Sequence, residues 1–144
     1  MLNRNLRVSF LLKKILLLTQ ANVKTADRDL TATVDLIVDS IQDVKGKKII
    51  KLDLRKLVDR PTDCFIICEG DSNTQVNAIA GRIRRRMKTE MGISPSHAEG
   101  QQNANWICLD YFDVVVHVFY KETRKFYELE DLWSDAEFTE YEDL

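Results

Sequence analysis

Several groups of side chains in this 144-residue chain have types and spacings that could do chemistry. Glu69-Gly70-Asp71-Ser72 lies between an apolar run and a helical pattern, where backbone N–H groups at a helix start could hold an anion such as a phosphate. Asp110 and Asp113 come nearest to the close carboxylates that hold two magnesium ions in nucleotidyl transfer. They flank a turn, however, and the next residue on the face of Asp113 is Val115, so acids do not alternate along one strand. His117 shares that face, alone among valines, and reads as a hydrogen-bonded structural histidine before it reads as a base. His97 is isolated as well. No Ser or Cys stands beside a base in a recognisable nucleophile motif.

Cys64 and Cys68 are four apart in a strand-like run, which places them on one face roughly 13 Å apart, too far for a disulfide or a shared metal. With Cys108 the cysteine count is odd, and all three lie in apolar runs. They read as reduced thiols packed as small hydrophobes in a reducing compartment, the cytoplasm. Asp35, Asp39 and Asp43 recur at spacing four, but no His or further carboxylate joins them, so they read as a solvated helix face. No metal-ligand set emerges, and neither metal nor cofactor is expected. Arg82, Arg84, Arg85, Arg86 and Lys88 fan around the side away from an apolar stripe. A solvated face that balances the acidic helix is the plainer reading, and contact with RNA is the other.

The elements that must position these groups follow from hydrophobic period. Leu30, Val34, Ile37, Val38, Ile41 and Val44 keep helical spacing, with Gly46 expected as the left-handed residue that ends the helix. Ile49 to Leu54 and Cys64 to Cys68 read as two strands joined by a turn at Asp59-Arg60-Pro61. Ser72 to Gln75 has capping-box spacing, opening a helix that buries Val76, Ile79, Ala80, Ile83 and Met87 and stops at Gly92. Asn105 to Leu109 and Val114 to Tyr120 predict an antiparallel hairpin. Thr123 to Trp133 reads as a helix with Phe126, Leu129 and Trp133 on one side. The order predicts an α/β fold: a mixed sheet of about five strands flanked by helices.

Composition fits one soluble globular domain, 44% hydrophobic and 31% charged. Of the 21 Lys and Arg, five (Arg4, Arg7, Lys13, Lys14 and Lys24) fall in the first 24 residues, whereas all 23 Asp and Glu come later, leaving residues 25–144 with a net charge of −7. An acidic domain is a poor match for phosphate backbones and a good one for a basic protein. The run Phe10 to Leu18 is interrupted by Lys13 and Lys14 and is too short to span a membrane, so no membrane association is expected. The chain thus divides into a basic extension at 1–24, a domain at 25–133, and an acidic tail at 134–144 that is expected to fray.

Binding suits the C-terminal third better than catalysis. Trp106, Cys108 and Asp110 alternate onto one strand face, with Asn105, Ile107 and Leu109 on the other. Trp106 reads equally as core or as an interface hot spot. Thr62-Asp63-Cys64-Phe65-Ile66-Ile67-Cys68-Glu69-Gly70, Glu99-Gly100, Trp106-Ile107-Cys108-Leu109-Asp110, Asp113-Val114-Val115-Val116-His117-Val118-Phe119 and Arg124 with Phe126-Tyr127-Glu128-Leu129-Glu130-Asp131-Leu132-Trp133 together resemble the ribosomal silencing factor family, the RsfS or Iojap-like proteins. The resemblance spans roughly Leu30 to Trp133. It implies a nucleotidyltransferase-like topology without the magnesium carboxylates. It also implies binding to the fourteenth protein of the large ribosomal subunit, with a peripheral contact to ribosomal RNA, as a monomer or homodimer. Such binding would block joining of the small subunit and repress translation when nutrients are scarce, by occlusion and not catalysis.

Carried over by position, the resemblance makes Trp106 the aromatic anchor and Asp110 the polar contact and turn former. Ile107 and Leu109 would add apolar area, Tyr127 and Glu130 would form the rim, and Asp113 and His117 would fix the hairpin. Two features depart from the family pattern: the basic extension and the bulky turn Tyr111-Phe112. The competing readings are a nucleotidyltransferase-like enzyme using the Gly70-Asp71-Ser72 turn and an RNA-binding module using the Arg82 to Lys88 helix.

Overall fold

The computed structural model of the chain describes residues 29–144, so the basic extension at 1–24 lies outside the described residues. Helix α1 (Leu30–Asp43) starts at Asp29, whose carboxylate accepts the N–H groups of Thr31 and Ala32 at 3.0 and 3.3 Å. These are donors that no helical carbonyl can reach. At its other end the left-handed residue is Lys45 (φ 62°), not Gly46. Gly46 serves a different need: a Cβ there would run into the Ile41 side chain and lie 3.2 Å from Ile79 Cδ1, so only glycine lets the chain pass this close to both helices.

Strands β1 (Lys47–Asp53) and β2 (Cys64–Gly70) pair antiparallel, with a bulge between Lys47 and Ile50. Helix α2 (Asn73–Met91) follows, then β3 (His97–Glu99), β4 (Trp106–Asp110) and β5 (Val114–Tyr120). β4 and β5 form the expected antiparallel hairpin, and β5 lies parallel to β2. Among the described residues the sheet has six strands in the order β3-β4-β5-β2-β1-β6. Its last member, β6 (Glu137–Glu140), pairs with β1, so residues 137–140 of the acidic tail are a strand and not a frayed end. Backbone hydrogen bonds to β1 outweigh the tail's polarity because an edge strand can leave its side chains in water, and all four residues of β6 are exposed. β2, paired on both sides and covered on both faces, is buried at every position, hence its unbroken apolar run.

α1 and α2 lie side by side on one face, covering Ile66, Ile107, Leu109, Val114, Val116 and Val118. α2 opens as half of a capping box: Ser72 Oγ accepts Gln75 N–H at 3.1 Å, while the Gln75 amide instead accepts Asp71 N–H and donates to the carbonyls of Val44 and Lys45. The acidic and basic ridges are not both simply solvated. Arg82 pairs with Asp43 at 2.8 Å, and Arg86 reaches Asp39 at 2.6 Å, Asp43 at 3.0 Å and Glu90 at 2.6 Å. Asp43 is held below its usual range by hydrogen bonding to Arg82, and Glu90 by hydrogen bonding to Arg86. The opposite face carries two short helices, α3 (Lys121–Tyr127) and α4 (Leu129–Leu132). The single helix expected over Thr123 to Trp133 breaks at Glu128, which is left-handed (φ 49°, ψ 53°). Among the described residues no helix is long and apolar enough to cross a membrane.

Candidate protein-docking face

Alternation along β2, β4 and β5 sends Phe65, Ile67, Trp106, Cys108, Val115 and Phe119 to the α3–α4 side, where Leu129 of α4 joins them. Trp106 is only 4% exposed. Its indole stacks on Phe119 at 4.9 Å between ring centroids and meets Tyr127 of α3 at the same separation. Trp106 Nε1–H donates to His117 Nδ1 at 3.0 Å in a fully buried bond. An indole nitrogen can only donate, so His117 presents a lone pair at Nδ1 and its ring is neutral. The Cys108 thiol lies 3.5 Å from the same nitrogen, and Phe65 meets the imidazole edge to face at 4.7 Å.

This packing revises several expected contacts. Trp106 lies beneath the surface as the floor under Tyr127, and the structure does not present it as an exposed anchor. Ile107 and Leu109 are completely buried on the opposite, α1–α2 side of the sheet and have no area to give a partner. Strand alternation that points Trp106 one way must point them the other. Asp110 is also fully buried; its carboxylate accepts Phe112 N–H at 2.9 Å, which fixes the turn but offers nothing outward. The bulky turn is explained by Tyr111, a fully buried member of the α1–α2 core. Asp113 joins the hairpin to the sheet through its backbone, its carbonyl accepting Cys64 N–H at 3.0 Å.

Tyr127 is half-buried over Trp106, and Glu130 accepts from Arg124 Nε at 2.7 Å. Arg124, to which the sequence assigned no role, is the junction of this face. Its Nη1 donates to the Lys48 carbonyl at 2.7 Å and lies 3.3 Å from Glu69 Oε1, with the Arg124 side chain 11% exposed. The left-handed Glu128 turns α4 back so that Glu130 can close this cluster. Gly100 (φ +90°) has its own reason, since a Cβ there would strike the Trp106 carbonyl. What reaches solvent is a shelf of half-buried Phe126, Tyr127, Leu132 and Trp133, with exposed Glu122, Lys125, Glu128, Asp131 and Asp135 on the same stretch of chain.

The groups that might have done chemistry are placed otherwise. In the Glu69 to Ser72 turn, Asp71 N–H is bonded to Gln75 Oε1, and a Cβ on Gly70 would sit 3.1 Å from Val76 N. Burial pushes the Cys64 and Cys68 thiols up to about 12. Among the described residues, no group of three or more His, Cys, Asp or Glu is placed to hold a metal.

The fold and its assembled side chains therefore define a mixed α/β domain whose α3–α4 face carries a half-buried aromatic shelf with more exposed acids than bases beside it. The family described as ribosomal silencing factor during starvation matches residues 27–144, and the chain belongs to it. It is 39% identical over 109 residues to the ribosomal silencing factor RsfS of Halalkalibacterium halodurans, covering 76% of this chain and 92% of that one. It is 43% identical over 94 residues to RsfS of Bacillus subtilis, covering 65% and 78%. A crystal structure of a Chromobacterium violaceum protein superimposes with a TM-score of 0.70 at 36% identity, over 74% of this chain and 88% of that one.

Proposed function

We propose that this protein is a cytoplasmic, ribosome-associated repressor that docks on the fourteenth protein of the large subunit and sterically blocks joining of the small subunit when nutrients are scarce. Membership of the silencing-factor family across residues 27–144 carries the reading. The site is the α3–α4 shelf, with Tyr127 at its centre and acids around it. Trp106 and His117 hold it from below, and Glu130 braces it through Arg124. An acid-rimmed surface suits a basic ribosomal protein, since opposed charge speeds encounter and fixes orientation. No catalytic step is assigned, because occlusion needs only a bound body of sufficient size. A peripheral contact with ribosomal RNA is favoured by one observation: once Arg82 and Arg86 are spent on α1, Arg84, Arg85 and Lys88 remain exposed on α2.

The test is subunit reassociation followed by sedimentation, with purified protein mixed with separated subunits. Whole ribosomes should fail to form at saturating protein, and Asp131→Lys with Asp135→Lys should restore them. Undiminished reassociation with the unaltered protein would refute the proposal.

A further inference from the structure

Among the described residues β6 is paired on one side only: its partner is β1, and no described strand lies along its outer edge. Tyr141 N–H donates inward to the Ile49 carbonyl at 2.9 Å, so by antiparallel alternation the N–H groups of Phe138 and Glu140 point away from the sheet. These are the unpaired donors onto which another strand can add. Beside them, Phe138 is 47% exposed, one of few large apolar side chains so open among the described residues. It borders a cavity of about 660 Å³ that is also lined by Lys48, Arg124, Glu130, Glu140, Glu142 and Asp143.

Besides the Arg124 cluster, the cavity lining holds three carboxylates, of Glu140, Glu142 and Asp143, against one lysine, Lys48. Arg124 is already neutralised by Glu69 and Glu130, and Glu137 is paired with Lys56 at 2.6 Å. The carboxylates of Glu140 and Glu142 form no ion pair with any other described residue. A second copy added edge to edge would set these acids near their own duplicates, which disfavours self-association. A cationic strand meets no such cost.

We propose that the outer edge of β6 is a docking site for an extended, Lys- and Arg-rich segment of a protein partner. The segment adds as a further strand, with one cationic side chain reaching the cavity beside Phe138 and facing Glu140 and Glu142. The cavity shares Arg124 and Glu130 with the brace of the α3–α4 shelf, but a peptide titration reads the strand edge directly and so can fail while subunit joining is still blocked.

The full chain is titrated with a short fluorescent peptide of alternating Lys and Val, and with a Glu-Val control, by fluorescence anisotropy. Backbone amide exchange is followed in parallel. The Lys-Val peptide should bind, the control should not, and the amides of Phe138 and Glu140 should slow. Glu140→Lys with Glu142→Lys should weaken binding about tenfold, the size expected for reversing two surface charges. Glu140→Pro, which removes an outward N–H that an edge strand does not use, should abolish it without lowering the melting temperature. Equal binding of both peptides, protection elsewhere than residues 137–140, or unchanged affinity in both folded variants would overturn the proposal. So would an increase in affinity on Lys13→Glu with Lys14→Glu, which would show the chain's own basic segment to be the occupant.

Discussion

If Trp106 is a buried support and not a contact, replacing it should report on folding before it reports on binding. Trp106→Phe keeps a ring against Phe119 and Tyr127 but deletes the donor that bonds His117 Nδ1 at 3.0 Å. The Cys108 thiol, a weaker donor, is left to face that nitrogen. A buried acceptor deprived of its donor costs about 1–3 kcal/mol, and the volume lost from the smaller ring adds roughly 1, so the variant should lose about 2–4 kcal/mol. Urea denaturation measures this. His117→Leu in the same background removes the acceptor too, so the double variant should be more stable than the sum of the singles by at least about 1 kcal/mol, because two polar partners replaced together leave nothing unsatisfied. Where the variant is folded, it should still block subunit joining at saturation. Additivity within about 0.5 kcal/mol would refute the role of the Trp106–His117 bond, and a fully folded Trp106→Phe protein with no ribosome affinity would return Trp106 to the surface.

Two further perturbations probe the ion pairs. Arg124→Met strands Glu69 and Glu130 without their cation and should cost about 2–4 kcal/mol, less than a fully buried pair because Glu130 is partly open to water; a thermal melt within a degree or so of the parent would contradict this. Arg55 holds Asp53 down at about 2, and Arg82 and Arg86 lower Asp43 and Glu90. A depressed carboxyl stabilises the fold above its unfolded value and loses that contribution as pH falls toward its folded value, so the urea midpoint should drop between about pH 4 and pH 2. Arg82→Gln with Arg86→Gln should flatten part of that drop, and identical profiles for parent and variant would exclude the α1–α2 pairs as its source.

How far the sequence could be read depended on whether a residue's partners were local. α1, α2 and the β4–β5 hairpin follow from spacing because their cores repeat every few residues. Alternation also gave the right split of faces, with Trp106 on one and Ile107 and Leu109 on the other. It could not say what lies over each face: Trp106 is roofed by Tyr127, well downstream, and Ile107 and Leu109 by α1 and α2, well upstream. Placing all three at one interface set residues from both faces on a single surface. β3 was missed because His97-Ala98-Glu99 is too short to alternate, and β6 because Glu137-Phe138-Thr139-Glu140 has the composition of a solvated tail. Arg124 gave no local signal, since its acids come from β2 and from beyond a kink that no Gly or Pro announces.

The pairing of β1 with β6 also sets an order in time. A chain made from its N-terminus completes β1 and β2 long before residues 137–140 exist, so the flank of β1 that β6 will cover stays open through most of synthesis. Lysine is the side chain that best keeps an open strand from recruiting strangers, and β1 begins Lys47-Lys48 and carries Lys51 at its centre. In the finished sheet Lys47 pairs with Asp71 at 3.2 Å, while Lys48 and Lys51 form no ion pair with any described residue. A lysine-lined flank is what would guard the nascent strand, and its value would be read in the yield of soluble protein during translation.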